Sequence, residues 1–293
     1  MISRRVLLAS PLAFALSPAR ADAAPLRVAA SFSILADLVR QIGGERVAVN
    51  ELVGPGGDAH AFQPSPADAG KLAAAKIVFI NGLGFDDWTR RLAAAAGAKG
   101  QIVVVSSLVT PRKGEGGHDL DPHAWQSVPN AKLYADAIRA ALSAADPDGA
   151  SAYESNARGF KAQLDALDAD IRAAVAALPP GRRKVVTTHD AFGYFAAEYG
   201  LAFLAPKGVS NEAEASPRDV ARIIRQIRQE KIPAVFLENV TDPRLMQRIA
   251  QETGAKIGGS LYSDSLTPPD GPAPSYVAMM RHNIRELSKA LAP

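Results

Sequence analysis

Five histidines carry most of the chemistry this sequence offers: His60, His118, His123, His189 and His282. Three of them stand where a ligand would stand. His60 ends Gly54-Pro55-Gly56-Gly57-Asp58-Ala59-His60, beyond the apolar run that closes at Val53. His123 lies in Asp121-Pro122-His123-Ala124-Trp125, and His189 comes directly off Val185-Val186-Thr187-Thr188. In open α/β sheets the ligand crevice lies outside the carboxyl ends of the strands, so imidazoles at three such ends can converge. The chain has no cysteine, so a metal here would be held by imidazoles and carboxylates, four in all if tetrahedral. Asp264, in Leu261-Tyr262-Ser263-Asp264-Ser265-Leu266, stands where it would complete that shell. Taken singly, a loop histidine is usually solvated and an aspartate in such a turn usually caps it. The four together make the case.

The remaining candidates are weaker. Asp58 and Glu238 could orient the imidazoles from behind. His118 sits among Gly114, Gly116 and Gly117; it could hand metal inward, but a solvated loop histidine is the simpler reading. His282 falls off the apolar face formed by Tyr276, Met280, Ile284, Leu287 and Leu291, which predicts an exposed residue without a role. Trp125 beside His123 reads as a packing wall. His189-Asp190 looks like the dyad of a metal phosphohydrolase, but the supporting histidines and aspartates are missing, and no His-Glu-x-x-His motif occurs.

These residues need a scaffold of alternating strands and helices. Apolar runs at Leu26–Ala30, Val47–Val53, Ile77–Ile80 and Ile102–Val105 predict strands, with helical patterns at 34–42, 66–75 and 87–96 between them. The same alternation resumes after residue 183, with strands at 184–188, 201–204, 234–237 and 255–257 and helices at 191–198, 217–230, 243–253 and 276–291. Short connections of this kind predict parallel βαβ units. Between the halves, Tyr153, Phe160, Leu164, Leu167, Ile171, Val175 and Leu178 recur mostly at spacings of three and four, and Pro179-Pro180-Gly181 stops them. Asp146 and Pro147 suit a cap and first turn. The pattern predicts one long helix of roughly 45 Å. The expected fold is α/β: two parallel-sheet (β/α) lobes, 24–146 and 183–293, joined by one long rigid connector helix at 147–178.

The first residues read as an export signal. Arg4 and Arg5 precede an apolar stretch from Val6 to Leu16, and Ala19-Arg20-Ala21 supplies small residues for cleavage after Ala21 or Ala23. Ser3-Arg4-Arg5-Val6-Leu7-Leu8 also fits a twin-arginine signal. Removing 1–21 lowers Lys+Arg from 33 to 30 against 30 Asp+Glu, so the mature chain is formally neutral. A nucleic-acid binder would carry a basic surplus, so no nucleic-acid partner is expected. Without cysteine there is no disulfide framework and no residue to carry a lipid anchor. The expected location is the periplasm, as a free monomer.

The residues flanking the candidate ligands resemble the metal-binding solute receptors of ABC importers, the cluster A-I zinc and manganese receptor family (ZnuA/TroA-like). The resemblance covers essentially the whole mature chain. It runs through Gly57-Asp58-Ala59-His60 with Phe62 and Pro64-Ser65-Pro66, Asp121-Pro122-His123-Ala124-Trp125 with Pro129-Asn130-Ala131, and Thr188-His189-Asp190-Ala191-Phe192-Gly193-Tyr194-Phe195. It continues through Glu212-Ala213-Glu214-Ala215-Ser216-Pro217 and Leu261-Tyr262-Ser263-Asp264-Ser265-Leu266, in family order. It implies that metal is bound between the lobes by His60, His123, His189 and Asp264, and passed to an ABC permease in the inner membrane, with no enzymatic activity. The family carries glutamate or histidine at the third ligand. Imidazole there suits Zn(II), whereas a carboxylate would favour Mn(II), so zinc is the expected cargo. Many zinc receptors of this group have a histidine-rich loop before the second ligand; here 106–120 holds only His118. The alternatives are a manganese or iron receptor of the same fold, a secreted zinc hydrolase, and a metal chaperone or adhesion protein without a transporter.

Overall fold

The computed structural model describes residues 24–114, 120–212 and 214–293; the signal-like segment 1–21 and His118 lie outside the described residues. Two sheets, each of four parallel strands, organise the chain. The first is built from β1 (Leu26–Phe32), β2 (Val47–Val53), β3 (Ile77–Ile80) and β4 (Gln101–Val104), in the order β2-β1-β3-β4. Its crossovers are α1 (Ser33–Gly43), α2 (Pro66–Ala74) and α3 (Asp87–Ala95). The second repeats the order as β6-β5-β7-β8, using β5 (Lys184–Val186), β6 (Ala202–Leu204), β7 (Ala234–Glu238) and β8 (Lys256–Leu261). Its helices are α6 (Gly193–Tyr199), α7 (Pro217–Glu230) and α8 (Arg244–Thr253). Parallel strands must be covered on both faces, and accordingly every residue of β3 is buried.

Local chemistry sets the helix starts. Ser65 and Asp68 form a reciprocal capping box at α2, with Pro66 in the first turn. Ser216 caps α7 in front of Pro217, and Ser275 caps the last helix, α9 (Tyr276–Leu291). The apolar pattern of the connector is a 27-residue helix, α5 (Ala150–Ala176), about 40 Å long. It begins later than the sequence suggests. Asp146 does not cap it, because its carboxylate takes Arg46 in a bidentate pair at 2.8–3.0 Å and the Tyr153 hydroxyl at 2.6 Å. Pro147–Gly149 forms a separate 3₁₀ turn.

A second long helix, α4 (Val128–Ala145), was not anticipated. Ser127 caps it, and Val128, Ala131, Tyr134, Ala135, Ile138, Ala141 and Leu142 form its buried face. α5 packs against α1, α4 and α9. One apolar core is therefore continuous from Phe32 and Trp125 through Phe160 and Leu167 to Phe236 and Tyr276. A separate cluster around Ile223, Ile227, Val235 and Ile249 lies on the other face of the second sheet. Among the described residues no helix is long and apolar enough to cross a membrane.

Candidate metal centre

Each candidate ligand sits just past the carboxyl end of a strand or in the loop that follows. His60 lies in the loop after β2. The Asp58 carboxylate accepts its backbone N–H at 2.9 Å, and Trp88 Nε1 donates to the preceding carbonyl, Ala59, at 3.1 Å. Phe85 meets the His60 ring edge-on, with centroids 4.7 Å apart. Asp58 therefore fixes the backbone of His60 and not its ring, a correction to the orienting role expected from sequence.

His123 follows the same local rule, with an added contact. Asp121 Oδ1 accepts the His123 backbone N–H at 3.0 Å and also lies 2.8 Å from its Nδ1. Asn81 steadies the turn by donating to the Pro122 carbonyl at 2.9 Å. Sequence reasoning missed Asp121 as a partner. The signal was present: an aspartate stands two residues ahead of both His60 and His123, a spacing at which its carboxylate can reach the histidine's own N–H.

His189 comes off β5, and Glu238 ends the neighbouring β7. Glu238 Oε1 accepts the N–H groups of Thr188 and His189 at 2.7 and 3.1 Å. Its Oε2 lies 2.7 Å from His189 Nδ1, an ion-pair contact rather than an aligned hydrogen bond. Glu238 thus stands where a carboxylate could orient the His189 imidazole.

Asp264 follows β8 in a loop held by groups from distant parts of the chain. Trp125 Nε1 and Gln126 Nε2 both donate to the Ser263 carbonyl, at 2.8 and 2.7 Å. Ser33 Oγ, at the start of α1, accepts the Leu266 N–H at 3.0 Å. Gly56 N–H is shared between Ser265 Oγ and the Leu266 carbonyl, at 2.8 and 3.0 Å. Trp125 is thus both a packing wall, 5.3 Å from the His123 ring, and a staple for the fourth candidate.

These restraints bring four side chains to one point. One donor atom from each of His60, His123, His189 and Asp264 lies within 4.8 Å of the others. His60 Nε2 is 3.3 Å from His123 Nε2. The Asp264 carboxylate lies 3.4 Å from His123 Nε2, 3.1 Å from His189 Nε2 and 3.7 Å from His60 Nε2. Bonds of about 2.0–2.1 Å to a tetrahedral zinc require donor–donor separations of about 3.3–3.4 Å; these four contacts bracket that value, within a set that spreads to 4.8 Å. Both Asp264 oxygens are buried and accept no hydrogen bond among the described residues, which suits a carboxylate shaped for a cation.

The electrostatics are polarised. Burial pushes His60 down to about 3, against the pull of Asp264. Burial would likewise lower His189, but the Glu238 and Asp264 carboxylates outweigh it and raise this imidazole well above its ordinary value. Burial would raise Asp264, yet the His189, His123 and His60 imidazoles hold it well below the usual carboxylate range. An open cavity of about 540 Å³, lined by His60, Phe85, Trp88, Asp87, Arg91 and Glu212, leads to the cluster. His60 is the one member of the four that faces it.

His282 lies away from the site and is not the exposed residue expected. It is half-buried, donates from Nε2 to the Ser260 carbonyl at 3.0 Å and packs edge-on against Tyr262.

Comparison with known proteins shows the family and the fold. The family profile described as "ZnuA: Zinc-uptake complex component A periplasmic" matches residues 28–290. The manganese-binding lipoprotein MntA of Halalkalibacterium halodurans is 32% identical over 263 residues, covering 90% of this chain and 87% of that protein. The iron-binding protein YfeA of Yersinia pestis is 32% identical over 266 residues, covering 90% of this chain and 85% of YfeA. Among solved structures, the periplasmic zinc-binding protein TroA from Treponema pallidum superposes with a TM-score of 0.86 at 30% identity, over 91% of this chain and 99% of TroA. A manganese-bound periplasmic metal-binding protein from Candidatus Liberibacter asiaticus gives 0.83 at 32% identity, over 90% of this chain and 98% of that one.

Proposed function

This chain belongs to the ZnuA family of periplasmic metal-binding components of ABC importers, and from that premise we propose that its cargo is Zn(II), held by His60, His123, His189 and Asp264. The observation that carries the reading is the convergence of three imidazole nitrogens and one carboxylate within 4.8 Å of one another, with His60, His123 and His189 each within 3.7 Å of Asp264. Carboxylates stand at Nδ1 of His123 and His189. Such neighbours favour a metal-bound form with the ring proton on Nδ1 and the Nε2 lone pair toward the ion. Three imidazoles at the centre, with a single carboxylate, favour zinc over the harder manganese ion.

Capture requires the ion to trade its hydration shell for four fixed donors. A scavenging receptor needs nanomolar or tighter binding, roughly −12 kcal/mol or beyond. The loaded receptor then delivers the ion to a membrane permease. We place the mature protein free in the periplasm as a monomer. The curated relatives MntA and PsaA are named as lipoproteins; the 293 residues here contain no cysteine to carry such an anchor.

A manganese or iron receptor is the second reading, favoured by the metals for which MntA and YfeA are named. A zinc hydrolase needs a coordination position for water, and four protein donors would occupy the tetrahedral shell. The deciding experiment is competitive titration of the apo protein with zinc, manganese and iron, repeated on His189→Ala and His189→Glu. The proposal expects zinc to win on the native chain and its margin over manganese to shrink in His189→Glu. Manganese binding more tightly than zinc to the native protein would overturn it.

A further inference from the structure

Behind His123 and Asp121 stands a further charged side chain. Arg112 lies in the segment that precedes Asp121, and its Nε is 3.9 Å from Asp121 Oδ2. Apart from His123, no other cationic group lies within 4 Å of that carboxylate among the described residues. Asp121 and His123 are fully buried, and Asp121 Oδ2 accepts no hydrogen bond among the described residues. The backbone repeats the link, since Asp121 N–H donates to the Arg112 carbonyl at 2.9 Å.

The opposite wall belongs to the second half of the chain. The Arg112 guanidinium sits over the Tyr194 ring, 5.5 Å from its centroid, and the Tyr194 hydroxyl accepts the Arg112 N–H at 3.1 Å. Gly193, the first residue of α6, closes the gap. A Cβ there would lie 2.5 Å from Asp121 Oδ2 and 2.7 Å from Arg112 Nη1, both too close for any side chain without displacement.

We propose that Arg112 is a positioning residue of the metal site: through Asp121 it holds the His123 imidazole with Nε2 toward the ion, and the bare Gly193 gives the pair its space. This rests on the reading of the His/Asp cluster as the metal site. A buried carboxylate asked to orient an imidazole needs a counter-charge, or it turns toward whatever cation or water it can reach. Because Arg112 leans on Tyr194 across the interface, the orientation of His123 depends on the two halves being packed together.

The test measures zinc dissociation constants, by competition with a chromophoric chelator, for native protein, His123→Ala, Asp121→Asn, Arg112→Gln, Arg112→Lys, Gly193→Ala and the Arg112→Gln/Asp121→Asn pair. Arg112→Gln should weaken zinc binding roughly three- to tenfold, below the 10–100-fold of a direct ligand partner. Arg112→Lys should recover most of that loss, and Gly193→Ala should reproduce it. The double variant should bind no more weakly than Asp121→Asn alone, since Arg112 acts through that carboxylate. The His123 Nδ1–H resonance of the zinc-loaded protein should broaden in Arg112→Gln, which a merely structural change elsewhere would not produce. Native affinity in Arg112→Gln beside a weakened His123→Ala would overturn the proposal alone, as would additive losses in the double variant. Native affinity in His123→Ala would overturn the metal-site reading and this proposal with it.

Discussion

Glu238 grips the Thr188–His189 corner at three points: one carboxylate oxygen accepts the backbone N–H groups of Thr188 and His189, and the other lies 2.7 Å from the His189 ring Nδ1. A single side chain at the end of β7 therefore sets both the backbone and the imidazole at the end of β5. Replacing it with alanine should weaken zinc binding by about 10–100-fold and leave two buried N–H groups without an acceptor, at roughly 1–3 kcal/mol each. Chelator competition and denaturant unfolding of the apo protein would measure the two effects separately. A variant with native affinity would remove Glu238 from the site.

The imidazoles do not titrate alike. His60, pushed down to about 3, is neutral when folded at pH 7. Its unfolded value is near 6.5, so the unfolded chain binds a proton that the folded one refuses, and this group costs stability as pH falls from about 6.5 toward 3. His189 is raised, so its contribution is full below about 6.5 and is lost as pH climbs through its folded pKa.

Zinc must displace the His189 proton. Binding at pH 7 should therefore release at least one proton, and affinity should fall as pH drops. Calorimetry in two buffers of different ionisation enthalpy reads this directly; identical heats in both would contradict it.

Ser33 and Trp125 hold the Asp264 loop from the far side of the cleft. Ser33→Ala leaves the Leu266 N–H without its acceptor and should cost about 1–3 kcal/mol. The fourth donor would then be less fixed, so zinc affinity should fall as well. Unchanged stability and affinity would mean that the loop is positioned by its other contacts alone.

Metal capture should show as thermal stabilisation. With nanomolar affinity and micromolar excess of free zinc, binding adds about 4–5 kcal/mol, which for a chain of this size raises Tm by on the order of 10 °C. Excess chelator should reverse the shift. A rise of only a degree or two would place the affinity far below that of a scavenger.

Much of this was legible in the linear chain. Alternating apolar runs gave both sheets and most helix starts, because parallel strands buried on two faces and Ser-Pro caps leave local marks. The absence of cysteine and the placement of His60, His123, His189 and Asp264 limited the chemistry to imidazole and carboxylate. The helix Val128–Ala145 has its Ser127 cap and an apolar period in the sequence as well, but its alanine-rich face carries a weak apolar contrast. His282 was misjudged because a helical face says nothing about the Ser260 carbonyl and Tyr262 ring that the tertiary structure sets against it.

Composition and local order decided which donors exist and at which strand ends they stand. Only the tertiary structure decided that Glu238 and Asp121, and not Asp58, reach an imidazole, and that the Asp264 loop is tied to Ser33 and Trp125 from more than a hundred residues away. The reason is physical. A donor's type is a property of one residue, whereas the contacts of 3.1–3.7 Å that link the four donors depend on how two sheets and a shared core pack, a sum of contacts that no local stretch contains.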